Sequence, residues 1–296
     1  MHSSTEKQRT ADSYDDPKAQ LDGPPTLTIQ APLRNPSLQV TADHRLKAVD
    51  APVYAPKAGE VLLHVKATGI CGLPDRVSFA EGALLEPLSV ALQGIREARI
   101  ALGTSVAVMG AGPIGLLTLA AARASGAHPI VITDVEPARL AFAQEFVPSC
   151  QIYRVDLQKS AEENGKAIRD IFGKAEYAQP RAVLECSGVE SSVCAAAFTV
   201  RRGGTVVCVG VGKSIMNNLP FMHLSLAEVE VRFINRYCDT WPAGIACIEG
   251  GLIDVKKLVS HVFPLEKAQE ALEFSSDPKN GCIKVQVVDE SKTIVF

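Results

Sequence analysis

Val106-Ala-Val-Met-Gly-Ala-Gly-Pro-Ile-Gly115 decides the fold of this chain. An apolar run ends in Gly110-x-Gly112-x-x-Gly115 and passes directly into a helix-forming stretch, Leu116 to Ser125. A second apolar run, Pro129 to Thr133, stops at Asp134, 19 residues past the last glycine. Strand, glycine turn, helix, strand and acid in this order are the full context of a dinucleotide fingerprint, whereas a bare G-x-G-x-x-G is weak. Gly110 allows the tight turn, Gly112 lets the backbone approach a pyrophosphate, and Gly115 lets the helix pack close to the strand. The helix N-terminus offers free N–H groups to the phosphates. Asp134 is suited to accept hydrogen bonds from the adenosine ribose, and its charge repels a 2′-phosphate. The expected cofactor is therefore NAD, not NADP.

Outward from this stretch, strands and helices alternate. Strand candidates are 105–110, 129–133, 151–155, 181–186 and 204–209, with a sixth run from Val229 to Ile234. Helical stretches fall near 113–125, 138–147, 159–172, 190–201 and Pro242 to Glu249. Such alternation predicts an α/β fold with a parallel, doubly wound Rossmann sheet and right-handed crossovers. Before it, Ser78-Phe-Ala-Glu81 is a capping-box pattern that opens a helical stretch towards Ala98. Short β-like runs lie between Leu27 and Gly72, and a last strand is expected at Cys282 to Val288. Residues 1–26 have almost no apolar period and are expected to form a disordered tail.

Bulk properties narrow the function classes. The chain has 296 residues, enough for two domains with substantial cores. With 47% hydrophobic and 21% charged residues, it has the composition of a soluble globular protein. A net charge of −3 gives no electrostatic reason to expect nucleic acid or an anionic membrane as partner. No apolar run approaches a bilayer span, and the first residues lack the core of a signal peptide, so a cytoplasmic location is expected. The eight cysteines form no C-x-x-C, and disulfides are not expected in that compartment.

Several stretches together resemble the polyol branch of the zinc-dependent medium-chain dehydrogenases. They are Ala67-Thr-Gly-Ile-Cys-Gly72, Glu81-Gly-Ala-Leu-Leu-Glu-Pro-Leu-Ser-Val90, Gly110–Gly115, Val131-Ile-Thr-Asp134, Glu185-Cys-Ser-Gly188, Arg236-Tyr-Cys-Asp-Thr-Trp-Pro242 and Phe263-Pro-Leu-Glu-Lys-Ala268. The resemblance implies a GroES-like β-barrel catalytic domain, residues 27–98 plus 258–296, interrupted by an NAD-binding domain at 99–257. It implies oxidation of a secondary hydroxyl of a sugar alcohol such as L-arabinitol, xylitol or sorbitol to a ketose, with NAD and zinc as cofactors. A small-molecule polyol and a second copy of the chain, as a homo-oligomer, are the implied partners. Cofactor contacts carried over by resemblance are Gly110, Gly112, Pro113, Ile114, Gly115, Asp134, Arg139, Val209, Gly210, Val211, Ile234, Asn235 and Arg236. Arg236 and Tyr237 match residues that reach the substrate hydroxyls. Cys71 matches a cysteine ligand of the catalytic zinc, and Glu86 matches the glutamate beside the metal.

The resemblance breaks after Gly72, where the chain passes directly to Leu73-Pro-Asp-Arg-Val. The remaining metal ligands, an aromatic substrate contact and a structural zinc lobe belong to a missing piece on the order of a hundred residues, about a small domain. A catalytic zinc takes three protein ligands and keeps one open position. Cys71 and Glu86 alone do not supply that set, so turnover is expected to be impaired. The same sequence also fits a non-catalytic NAD-binding paralogue. A zinc-free NAD(P)H reductase of the same superfamily is a third reading, which Asp134 and the Arg236–Pro242 motif disfavour.

Overall fold

The computed structural model describes residues 36–40, 46–50 and 73–288. Residues 1–26, expected to form a tail, and most of residues 27–72, including Cys71, lie outside the described residues. Strands β1 (Pro36–Val40) and β2 (Leu46–Asp50) pair with each other. The capping box then forms as expected. Glu81 N donates to Ser78 Oγ at 3.3 Å and Ser78 N donates to Glu81 Oε2 at 2.9 Å, which opens α1 (Phe79–Gly82). The helical stretch is not continuous. It restarts as α2 (Leu85–Glu97), because Pro87 has no N–H and is tolerated only in a helix's first turn.

Six βα alternations follow: β3 (Val106–Met109), α3 (Pro113–Ala124), β4 (Ile130–Asp134), α4 (Pro137–Phe146), β5 (Gln151–Arg154) and α5 (Ala161–Phe172) make the first half. The second half comprises β6 (Ala182–Glu185), α6 (Glu190–Thr199), β7 (Thr205–Cys208), α7 (Phe221–Leu226), β8 (Glu230–Phe233) and α8 (Trp241–Glu249). All six strands are parallel and stand in the order β5-β4-β3-β6-β7-β8. This is the doubly wound dinucleotide-binding order, with its switch point between β3 and β6.

Strand alternation builds two cores. Val106 and Val108 of β3 join a cluster with Leu116, Leu119 and Leu140, whereas Ala107 and Met109 join one with Ile168, Ala195 and Ala196. Helix α2 lies on the first face, burying Leu85, Leu88 and Ala91. A methyl on its Gly94 would stand 3.1 Å from Leu184 and 3.3 Å from Val209, so the missing side chain lets the helix settle onto the sheet.

After α8 come β9 (Val259–Pro264), α9 (Ala268–Ser276) and β10 (Lys284–Val288), with β9 and β10 paired in parallel. Gln286 Nε2 donates to Ala80 O at 2.7 Å, and Lys256 pairs with Glu81 at 3.3 Å, tying α1 to this segment. Helices α7 and α9 and strand β9 are additions to the sequence-based expectation. Among the described residues no helix is long and apolar enough to cross a membrane.

Candidate functional site

The site starts at the C-terminal end of β3. Gly110 has φ +100°, a conformation that side chains oppose, and its N–H donates to Thr133 O at 2.8 Å. The chain then turns into α3 with Gly112 at the N-cap and Pro113 in the first turn. No side chain caps this helix, so its first N–H groups remain available to an anion. A methyl on Gly115 would overlap Gly110 O, which fixes how closely turn and helix approach. Beside Gly112 the space is open.

Asp134 ends β4 and is only 8% exposed. Its Oδ2 accepts from Ala111 N at 2.7 Å and its Oδ1 from Glu136 N at 2.9 Å. The fingerprint turn and the acid are therefore one hydrogen-bonded unit, and each carboxylate oxygen keeps capacity for a further donor. Arg139, in the first turn of α4, stands 4.0 Å from Asp134. Gly110, Gly112, Asp134 and Arg139 line one cavity of about 480 Å³, with Asp156 and Ser187 on its other sides.

Across the switch point, the fully buried Glu185 at the end of β6 organises the next loop. Its carboxylate accepts from Ser187 N at 2.9 Å, Gly188 N at 3.0 Å and Ser192 Oγ at 2.8 Å, and from Ser187 Oγ. Its carbonyl accepts from Val209 N at 2.8 Å and Gly210 N at 2.9 Å, joining the loops after β6 and β7. Cys186 borders the same cavity, and burial pushes its thiol up to about 12, so it stays protonated near neutral pH.

The other sequence-derived candidates lie apart from that cavity's lining. Pro113, Ile114 and Gly115 form the first turn of α3. Val209 is buried under α2, Gly210 packs against Gly188, and Val211 is 96% exposed. Ile234 packs on the core beside Gly94, while Asn235 and Arg236 are exposed and Arg236 has φ +64°. Tyr237 is half-buried with its ring edge-on to Trp241 at 5.8 Å. Glu86 is exposed in the first turn of α2. Among the described residues, no three His, Cys, Asp or Glu side chains gather as a metal site. Glu185 lies within the Glu185-Cys-Ser-Gly188 stretch, but its organising role is not among the sequence-derived assignments. An acid ending a buried strand before Ser-Gly was the available signal.

Residues 113–250 match the zinc-binding dehydrogenase family. L-arabinitol 4-dehydrogenase of Talaromyces emersonii is 51% identical over 223 residues, which is 74% of this chain and 57% of that protein. Sorbitol dehydrogenase of Ovis aries is 44% identical over 203 residues, covering 69% of this chain and 55% of the relative. The chain thus spans little more than half the length of the curated relatives it matches. Among solved structures, 2R,3R-butanediol dehydrogenase from Bacillus subtilis superposes with a TM-score of 0.65 at 28% identity, over 74% of this chain and 60% of the other. L-idonate 5-dehydrogenase from Escherichia coli gives 0.63 at 29% identity, over 73% and 59%.

Proposed function

We propose that this chain, whose residues 113–250 match the zinc-binding dehydrogenase family, binds NAD and acts on a secondary hydroxyl of a sugar alcohol with reduced turnover. One observation carries the reading. Asp134 is held by Ala111 N at the tip of β4, facing the same cavity as the fingerprint glycines. A carboxylate fixed there matches ribose hydroxyls and opposes a 2′-phosphate. The uncapped start of α3 and the open space at Gly112 suit a pyrophosphate. Bound NAD would supply the hydride acceptor.

The resemblance supplies the remaining roles of this chain's residues. Gly110, Gly112, Pro113, Ile114 and Gly115 cradle the phosphates, and Asp134 with Arg139 takes the adenosine ribose. Val209 to Val211 and Ile234 to Arg236 border the nicotinamide half, and Arg236 with Tyr237 orients the polyol. We place residues 27–98 and 258–296 in the catalytic domain and 99–257 in the cofactor domain, in a cytoplasmic homo-oligomer. The described residues do not fit zinc, because Glu86 faces solvent without ligating neighbours and Cys71 lies outside them. No step is therefore assigned to a metal. The same exposure of Glu86 favours, as second reading, an NAD-binding protein without turnover that works beside an intact paralogue.

Binding of NADH and NADPH, followed by NADH formation from NAD with L-arabinitol, xylitol and sorbitol, tests both. NADH is expected to bind at least about tenfold tighter than NADPH, a difference of about 1.4 kcal/mol. Turnover is expected about a hundredfold or more below a full-length relative, since a metal's charge stabilisation is worth several kcal/mol. Equal affinity for NADPH would overturn the cofactor assignment. Full turnover that a chelator abolishes would overturn the impairment, and complete absence of turnover would leave the second reading.

A further inference from the structure

The loops after β6 and β7 pack backbone against backbone. Gly188 has φ +72°, and a methyl on it would overlap Val211 O. Methyls on Gly210 and Gly212 would overlap the Gly188 backbone in turn. Beyond this crossing, residues 211–220 form a long connection before α7, with no strand or helix of its own. Such a loop holds one position only if side chains fix it.

Glu190 does so from the first residue of α6. Its Oε1 accepts from Asn217 N at 2.8 Å, Asn218 N at 2.8 Å and Asn218 Nδ2 at 3.0 Å. One helical turn later the Cys194 thiol donates to Asn218 O at 3.2 Å. The Asn218 N–H, followed by that of Asn217, holds the Glu190 carboxyl below the usual carboxylate range. The helix N-terminus favours the same charge. Glu190, Cys194, Asn217 and Asn218 themselves do not line the cavity that Asp134 borders.

The doubly wound fold divides a dinucleotide across the switch point, one nucleotide to each half-sheet. Asp134 marks the β3–β4 side as the adenosine half. The loop after β6 borders the same cavity as Asp134 through Ser187, Val189 and Ser192, whereas the end of β7, with the 211–220 loop it carries, then faces the nicotinamide half. We infer that Glu190 is a positioning residue for the nicotinamide half of the cofactor, acting by fastening the 211–220 loop to α6. The inference rests on the NAD reading above. It separates two affinities that a general structural role would lower together.

The test compares Kd for NADH and for ADP-ribose, which lacks the nicotinamide, in the wild-type chain, Glu190→Ala and Glu190→Gln. Loss of the three bonds in Glu190→Ala is expected to weaken NADH about tenfold, as one to a few net hydrogen bonds imply. ADP-ribose affinity is expected to change less than about twofold, which also reports that the fold is kept. Glu190→Gln is expected to bind NADH nearly as the wild type does, because all three donors fall on one oxygen that an amide can supply. Unchanged NADH affinity in Glu190→Ala would overturn the inference. So would an equal loss for both ligands, or a Gln variant as weak as the Ala variant. Wild-type chain that binds ADP-ribose but gains nothing from the nicotinamide overturns this inference alone, while failure to bind either ligand overturns the NAD reading beneath it.

Discussion

The six-stranded sheet and the β9–β10 pair are built from similar apolar, β-branched residues, but they bury them very differently. Every residue of β3, β4, β6 and β7 is buried, because helices cover both faces of the sheet. In β9 and β10 only Gln286 is fully buried, and Val262 and Val287 are exposed. The larger sheet completes its core from residues close in sequence, each βα unit covering the strand beside it. A two-stranded sheet has no such closure and is marginal by itself. Local patterning therefore secures the cofactor module and leaves the C-terminal strands with little burial of their own. Leu184→Ala, at 0% exposure in β6, is expected to cost about 2–5 kcal/mol in urea unfolding. Val287→Ala, at 39% exposure in β10, is expected to cost less than about 1 kcal/mol. Similar losses at the two positions would break the comparison.

A second test moves from core to site. Asp134→Ala removes the carboxylate that Ala111 N and Glu136 N both use. Hydrogen bonds to a charged group contribute about 1.5–3 kcal/mol, so NADH affinity is expected to fall about tenfold to a hundredfold. NADPH affinity is expected to fall less, because the repulsion of a 2′-phosphate disappears with the charge. Titration of both dinucleotides against both proteins checks this. An unchanged preference would show that Asp134 only braces the turn.

The legible parts of the molecule share one property, that their signal is local. The six strands stand out as apolar runs between turn residues, and the fingerprint places Gly110, Gly112 and Asp134 together because one βαβ unit contains them all. Other features escaped for physical reasons. The break between α1 and α2 is set by Pro87, whose effect on the preceding turn a capping signal does not show. Phe221-Met-His-Leu-Ser-Leu lacks the polar face that marks a surface helix, yet forms α7. Val259–Pro264 alternates in exposure and becomes a strand only because β10 pairs with it from 25 residues away at Lys284↔Val259. The site divides likewise. Glu190 reaches Asn217 and Asn218 across a whole strand and its loops, and no local pattern announces that meeting.

Arg139 sets the smallest and sharpest test. Resemblance assigns it to the adenosine ribose, but its side chain is 44% exposed and its guanidinium stands 4.0 Å from Asp134. An ion pair of that exposure contributes less than about 1 kcal/mol and is screened by salt. The side chain also sits in the first turn of α4, where a positive charge opposes the helix dipole. The two effects act in opposite directions on the empty protein. Arg139→Ala is therefore expected to change unfolding stability by less than about 0.5 kcal/mol. If the arginine acts only by steadying Asp134, NADH affinity falls no more than about threefold, and that loss fades in 1 M salt because the pair lies near solvent. A tenfold loss that persists in high salt would instead mean that the guanidinium lies on the cofactor itself, as the resemblance holds.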